Sequence, residues 1–332
     1  KDLTNVKGIA YFNQNELKVT PPRDPINDLD KISMPARDLF RIDRHSYMFT
    51  SRGCPYRCIF CASTRFWHKL RYFSAEYVVD EIRELVEKYD VKLISFFDDL
   101  FIGNLPRLRE IVNLLEQEKI IGKVRLTCSA RANLVNEEIA DLLKKMGVLS
   151  VGLGLESGSD ETLRYLKGDN ISVEDNKRAI VILRKHKIAA NASFVIGSPR
   201  ETKEEIMKTY FFIKDNPLSL VDTYVLTPYP GTEIWEYAKT RRLVADDMNW
   251  VKLNVNFNVN YKDAVILSEV LSRRDIVTIY KKFKLLRLFK NFKNVWSTPQ
   301  LMDLPGMIIK ALAGFLTGIL KKTFGIIFNV RK

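Results

Sequence analysis

Two patterns of hydrophobic and polar residues follow one another along most of the chain. Short apolar runs predict buried strands, and apolar residues repeating every three to four positions predict helices that pack by one face. The strands are predicted at 46–51, 91–97, 124–130, 149–155, 188–196 and 221–227. One helix is predicted to begin after Ser74, which would cap it. The other helices are predicted at 105–118, 136–146, 173–187, 202–215 and 234–239.

This alternation predicts an α/β fold with a parallel sheet, because parallel neighbours need crossover connections such as helices. No G-x-G-x-x-G follows the first strand, which disfavours a dinucleotide-binding fold. A partial (β/α)6 TIM-like barrel with a C-terminal helical extension fits the pattern. We expect a polar, proline-containing extended linker at 1–45, the barrel at 46–245 and a basic, mainly helical extension at 246–332.

Three of the four cysteines are clustered as Cys54-x3-Cys58-x2-Cys61. Three thiolates are an incomplete set for a four-iron cluster, which normally takes four Cys, so one iron would stay open to another ligand. The alternative is a structural zinc site with a fourth ligand from elsewhere. The candidates for that ligand are His45, His68 and Cys128. Clustered cysteines favour a reducing, cytoplasmic compartment over a disulfide framework.

The cysteine motif, with aromatic Phe60 before its last Cys, resembles the signature of the radical S-adenosylmethionine (SAM) superfamily. The flanking segment 50–55, TSRGCP, resembles the branch whose members often carry an upstream cobalamin (B12)-binding domain. The resemblance covers residues 1–250 and implies a barrel of the radical SAM type. It also implies a [4Fe–4S] cluster held by Cys54, Cys58 and Cys61, and reductive cleavage of SAM to a 5′-deoxyadenosyl radical.

Polar residues fall at the carboxyl ends of the predicted strands, where parallel barrels form their active sites. Asp98 and Asp99 follow the second strand, where carboxylates could receive a cationic amino group. Arg131 ends the third strand and could bind a carboxylate with its forked guanidinium or face a ribose. Glu156 ends the fourth strand beside Gly154, whose lack of a side chain lets a ligand approach the backbone.

Two turns extend the resemblance. Segment 197–202, GSPRET, resembles the family's G-L-P-G-E-T turn but departs from it at Ser198 and Arg200, and segment 227–232, TPYPGT, resembles the branch's P-x-P-G-T. The second segment could equally be a rigid turn or contact substrate. The SAM-binding residues that the resemblance implies are Phe60, Asp98, Asp99, Arg131, Gly154, Glu156, Gly197 and Pro199.

The reaction implied is cobalamin-dependent methylation of an unactivated carbon. We expect this chain to be the catalytic portion of a larger enzyme, because it does not begin with Met and residues 1–40 resemble the connector to a cobalamin domain. The alternatives are a cobalamin-independent radical SAM enzyme, a tetrapyrrole cyclase-like enzyme, or a non-catalytic metal or iron–sulfur scaffold. The partners implied are a small-molecule or lipid-like substrate and an electron donor such as flavodoxin or ferredoxin.

The net charge of +13 comes mostly from the end of the chain, since residues 281–332 carry eleven Lys or Arg and one acid. The remainder is nearly balanced, which disfavours a nucleic-acid partner. An apolar stripe flanked by Lys lies within 310–327. It predicts either a helix docked on the barrel or an interfacial helix giving peripheral membrane contact through 300–332.

Overall fold

The parallel sheet expected from the strand–helix alternation is present in the computed structural model, which describes residues 2–67, 69–253 and 262–295. The strands of these residues are β1 (Ala10–Asn13), β2 (Glu16–Val19), β3 (His45–Met48), β4 (Ser51–Arg52), β5 (Arg71–Tyr72), β6 (Leu93–Phe96), β7 (Arg125–Ala130), β8 (Val148–Glu156), β9 (Ala189–Ile196) and β10 (Leu220–Val225). The main sheet has the order β10-β9-β8-β7-β6-β3, and all its neighbouring strands are parallel. The predicted α/β partial barrel is confirmed.

Helices connect these strands and cover one face of the sheet. Those in the described residues are α1 (Ser63–Trp67), α2 (Ala75–Glu87), α3 (Leu105–Gln117), α4 (Glu137–Lys145), α5 (Asp160–Lys167), α6 (Val173–Lys185), α7 (Lys203–Asp215), α8 (Glu233–Thr240) and α9 (Arg273–Val295). Side-chain caps fix where many of them begin. The capping residues that accept a backbone N–H of the first turn are Ser74, Asn104, Asn136, Ser172, Thr202 and Thr232.

The hydrophobic core lies between the sheet and the helices. On β7, Leu126 and Cys128 are buried in this core, whereas Thr127 and Ser129 are half-buried on the opposite face. The alternation follows from strand geometry, in which successive side chains point to opposite faces. Burial raises the pKa of the Cys128 thiol, which therefore stays neutral. Cys128 is the core thiol that its position on a strand predicts.

The segment 1–45, which we expected to be extended, contains the antiparallel hairpin β1–β2. Its two loop residues, Gln14 and Asn15, both have positive φ, as the favoured two-residue hairpin turns require. The loop lacks the glycine that usually marks such a turn, so the hairpin was not predicted. Further along, Arg37 is buried and pairs with Glu81 of α2, which attaches this segment to the barrel.

The end of the described chain covers one edge of the sheet. The Asn291 side chain on α9 accepts a hydrogen bond from Val221 N (2.8 Å) and donates one to Val221 O (3.1 Å). These bonds satisfy backbone groups of β10 that an edge strand otherwise leaves open. None of the helices in the described ranges has the length and apolar content needed to cross a bilayer. The predicted apolar stripe and the membrane contact through 300–332 lie outside the described residues, as does His68.

Candidate active site

The cysteine loop follows β4 and faces a cavity of about 440 Å³, whose lining includes Cys54, Cys58 and Cys61. All three thiols are free and half-buried. The turn into the loop depends on Gly53, which has φ +94°; an added Cβ would lie 2.9 Å from Lys69 O. Both the backbone conformation and the contact exclude a larger residue there.

The thiols lie in an environment that suits a cationic metal centre. Burial is the main cause that raises the pKa of Cys54 and Cys61, and the nearby Cys58 and Asp99 add to it. Iron ions beside the sulfurs would offset this cost, because metal ligation requires the thiolate form. A four-iron cluster spreads its ligands over several metal atoms. Within the described ranges, no three His, Cys, Asp or Glu side chains are placed to hold a single metal ion.

The two described candidates for a fourth zinc ligand do not line the cavity. His45 Nε2 lies 2.9 Å from Ser95 Oγ, and its ring contacts Tyr47 at a centroid distance of 4.6 Å. Cys128 belongs to the core on the other face of β7. The arrangement fits three cysteine ligands with an open position better than a closed zinc site.

Arg131 lies directly after β7 and reaches across to the cysteine loop. Its guanidinium donates to Cys58 Sγ (3.5 Å) and to Lys167 O (3.3 Å), and it lies over the Tyr56 ring at 4.0 Å. Its Nε is buried without a hydrogen-bond partner. A buried donor left in this state costs free energy unless a ligand satisfies it. Arg131 therefore offers the cavity a positioned donor and a positive charge.

Glu156 ends β8 in a strained conformation beside the same cavity. Its φ is +63°, and the pairing of β8 with β9 is irregular between Gly154 and Glu156. Its carboxylate lies 3.7 Å from Lys167 Nζ, which also donates to Gly154 O. Burial raises the pKa of Glu156, and the charges of Lys167 and Arg131 oppose that effect. Strained residues of this kind concentrate at ligand sites.

The adjacent acids Asp98 and Asp99 have different surroundings. Asp98 is buried and is not among the residues that line the cavity, and its contact with SAM stays a prediction. Its carboxylate accepts hydrogen bonds from Thr50 N (2.6 Å), Thr50 Oγ1 (2.5 Å) and Ser51 Oγ (2.7 Å). Asp99 is exposed and lines the cavity. Asp98 thus holds the chain just before the cysteine loop, and only Asp99 is available to a ligand there.

Gly197 and Pro199 also lie away from the described cavity walls. Gly197, with φ +83°, opens the turn after β9, and both Gly197 N and Ser198 N donate to Glu201 Oε2 (2.7 and 3.1 Å). The buried Glu201 side chain therefore stabilises this turn by accepting two of its backbone hydrogen bonds. The predicted site residues that do line the 440 Å³ cavity are Cys54, Cys58, Phe60, Cys61, Asp99, Arg131, Gly154 and Glu156.

A second cavity, of about 300 Å³, adjoins the first and shares Phe60, Glu156 and Ser193 with it. Most of its other walls are apolar or aromatic, and Thr227 and Tyr229 of the TPYPGT segment belong to them. Sequence reasoning missed several cavity residues. Polar ones among them are Lys167, Asn191, Ser193, Asp222 and Tyr224. All but Lys167 occupy alternating positions within strands, a pattern that could have identified them.

The sequence matches known proteins over most of its length. The family model described as the Radical SAM superfamily matches residues 48–213. An uncharacterised methyltransferase of Pyrococcus horikoshii is 34% identical over 260 residues, covering 76% of this chain and 56% of that protein. An anaerobic magnesium-protoporphyrin IX monomethyl ester cyclase of Rubrivivax gelatinosus is 27% identical, covering 88% and 53% respectively. The chain thus spans about half the length of these relatives.

A solved structure shares the fold. The radical S-adenosylmethionine methyltransferase TsrM of Kitasatospora setae, with cobalamin and a [4Fe-4S] cluster bound, superposes with a TM-score of 0.64. The match covers 86% of this chain and 64% of that one, at 17% sequence identity. At that identity the likeness concerns the fold alone.

Proposed function

Because this chain belongs to the radical SAM superfamily, whose members use a [4Fe–4S] cluster and SAM, we propose that it binds both in the 440 Å³ cavity. Cys54, Cys58 and Cys61 hold the cluster in this proposal. The observation that carries it is that these three free thiols face one cavity together with a charged, buried residue pair, Arg131 and Glu156. The cavity volume is within the range of ordinary small-molecule sites.

The residues around the cavity match the charges of SAM, which carries a carboxylate, an amino group and a sulfonium. We assign the amino group to Asp99, the exposed acid on the cavity wall. We assign the SAM carboxylate or ribose to Arg131, whose Nε lacks a partner. Glu156, held near Lys167, accepts a hydrogen bond from a hydroxyl of SAM or lies beside its positively charged sulfonium. When bound, the cluster and SAM supply the electron and the 5′-deoxyadenosyl radical, while these residues orient SAM and exclude water.

The reaction we propose is methylation of an unactivated carbon of a small molecule, with cobalamin bound by a domain not in this chain. The methyltransferase relative at 34% identity supports it. A tetrapyrrole cyclase-like reaction is the second candidate, because the cyclase relative matches 88% of the chain. The predictions that stay with the proposal are a barrel at 46–245, a cytoplasmic location, an electron donor such as flavodoxin or ferredoxin, and peripheral membrane contact through 300–332.

Anaerobic reconstitution tests the cluster and the cleavage. We expect about four irons and a similar amount of sulfide per chain, as one cubane requires. With a reductant and SAM, the reconstituted chain should form 5′-deoxyadenosine. Cys58→Ala should lose both properties, whereas Cys128→Ala, which changes a core thiol on the opposite face of the sheet, should keep them. A Cys58→Ala protein with a full complement of iron would contradict the proposal.

The methylation proposal needs a separate measurement. This chain and a longer version, extended by the upstream sequence of its natural gene, are each reconstituted. Both are incubated with a reductant, cobalamin, a small-molecule extract and SAM carrying a labelled methyl group. Label that enters a small molecule only with the longer version supports methylation with cobalamin held outside this chain. If 5′-deoxyadenosine forms and changes a substrate without label transfer in either sample, the cyclase-like candidate replaces methylation.

A further inference from the structure

Three aromatic side chains form an exposed cluster at the edge of the sheet that α9 does not cover. Tyr47, Phe49 and Phe97 are 50%, 53% and 55% exposed. The Tyr47 and Phe97 rings stack with centroids 4.6 Å apart and an interplanar angle of 27°, and Phe49 meets Phe97 edge-on at 6.2 Å. We call these three side chains the aromatic platform. Exposed apolar patches of this kind commonly mark binding sites.

The aromatic platform lies on the inner face of the sheet, which also carries the cavity. Its members alternate along the chain with Met48 and Phe96, which belong to the core under the helices. Since successive side chains point to opposite faces, Tyr47 and Phe97 point inward. The β3–β6 register pairs Tyr47 with Ser95, which places Phe49 and Phe97 in the next row along the two strands.

That row continues into the floor of the 440 Å³ cavity. Ser95 pairs with Thr127, so the row of Phe97 meets β7 at Ser129, two residues further on. The following register pairs are Ser129 with Gly152, Gly152 with Asn191 and Asn191 with Leu220, and all four residues line the cavity. Neighbouring strands are about 4.8 Å apart, so the platform begins one strand from the cavity floor.

The polar groups beside the platform are occupied by one another. His45 Nε2 lies 2.9 Å from Ser95 Oγ, which accepts a hydrogen bond from Thr127 Oγ1 at 2.8 Å. The platform residues themselves carry no charge. What they offer to a ligand is the flat apolar face of stacked rings, which favours another ring in an offset-stacked or edge-on arrangement.

We propose that the aromatic platform binds a flat, uncharged aromatic or polycyclic part of the substrate, while the remainder of that molecule extends into the cavity. The identity of this ligand as a substrate rests on the proposed function. The shared row argues for a small molecule, because one ligand can cover the platform and still reach the cavity floor. The substrate class is therefore an extended molecule with a planar apolar end, and a purely aliphatic chain would use the platform poorly.

Binding of N-phenyl-1-naphthylamine, an uncharged aromatic probe whose fluorescence reports its environment, tests the proposal without turnover. We expect saturable binding to the reconstituted chain, and weakening of about tenfold in Phe97→Leu and in Tyr47→Leu, which keep apolar bulk but remove a ring face. Phe289→Leu is the matched control, because Phe289 is 67% exposed on α9 and lies outside the platform. Thermal melting establishes that each variant is folded.

Equal affinity in the wild type and in the Phe97→Leu and Tyr47→Leu variants would overturn the proposal, as would a loss in Phe289→Leu equal to theirs. Displacement of the probe by 1-decanol as readily as by 2-naphthol would overturn the preference for flat ligands. Absence of saturable binding would also overturn it. Since 5′-deoxyadenosine formation does not enter this measurement, the platform can fail while the proposed function holds, and the reverse is equally visible.

Discussion

In the central strands β8 and β9, the two faces of the main sheet are built from neighbouring residues but differ in composition. Toward the helices, Val151 and Phe194 are fully buried in the core. On the inner face, their chain neighbours Gly152 and Ser193 line the cavity. Small and polar residues on that face leave space and hydrogen-bonding groups for ligands. Along these strands, residues that stabilise the fold therefore alternate with residues that are available to a ligand.

This separation yields a matched pair of variants at Phe194 and Ser193. Phe194→Ala removes a buried ring from the core, and large-to-small changes of this kind cost about 3–5 kcal/mol of unfolding free energy. Ser193→Ala, on the opposite face of β9, should change stability by only about 0.5 kcal/mol. Chemical denaturation of the two variants measures the difference.

Ligand binding should show the opposite dependence on these residues. Folded Phe194→Ala protein is expected to bind SAM as the wild type does. Ser193→Ala should weaken SAM binding, because it removes a hydroxyl that lines both cavities. Isothermal titration with SAM under anaerobic conditions checks this. If Ser193→Ala destabilises the protein as strongly as Phe194→Ala, the division between the two faces is wrong.

Periodicity predicted the sheet well because it is a local property of the strands. The strand predicted at 188–196 is found as β9 (Ala189–Ile196), and its alternation also separates Ser193 from Phe194. The cysteine loop was equally accessible, because three ligands on one short segment need no long-range information. The residues that face this loop could be predicted as well, because the carboxyl ends of the strands in a parallel barrel meet at one edge.

Other features depend on contacts between distant segments and could not be predicted. Lys167 reaches Glu156 only because α5, which was not predicted, returns the chain to the cavity. The opposite roles of Asp98 and Asp99 are set by how the chain turns after β6 and by Thr50, far away in sequence. No pattern within the DD pair itself distinguishes the two acids.

Glu201 is a buried acid in the turn after β9 and does not line either cavity. Burial raises its pKa to about 8, although Gly197 N and Ser198 N donate to it and favour the charged form. Between its usual pKa and about 8, the folded state holds a proton that the unfolded state has released. Unfolding free energy should therefore fall as pH rises through this window, by up to about 1.4 kcal/mol per pH unit.

Glu201→Gln removes this titration while keeping an oxygen that can accept the two backbone hydrogen bonds. We expect the variant to lose less stability between pH 5 and pH 8 than the wild type does, because all other groups titrate alike in both. Thermal melting at several pH values gives the comparison. Glu204→Gln, at an exposed position in the first turn of α7, is the control, because it makes the same substitution without removing the buried acid. Parallel profiles for Glu201→Gln and wild type would show that the buried acid does not titrate as described.

Asp98 and Asp99 allow the same comparison at two adjacent positions, of which one is buried and the other is exposed on the cavity wall. Asp98→Ala leaves Thr50 N and the Thr50 and Ser51 hydroxyls without their acceptor, which should cost about 1–3 kcal/mol of unfolding free energy. Asp99→Ala, exposed on the cavity wall, should cost about 0.5 kcal/mol or less and instead weaken SAM binding. Denaturation and SAM titration on both variants decide the assignment. A stable Asp98→Ala protein that fails to bind SAM, beside an Asp99→Ala protein that binds normally, would reverse the two roles and return Asp98 to the SAM site.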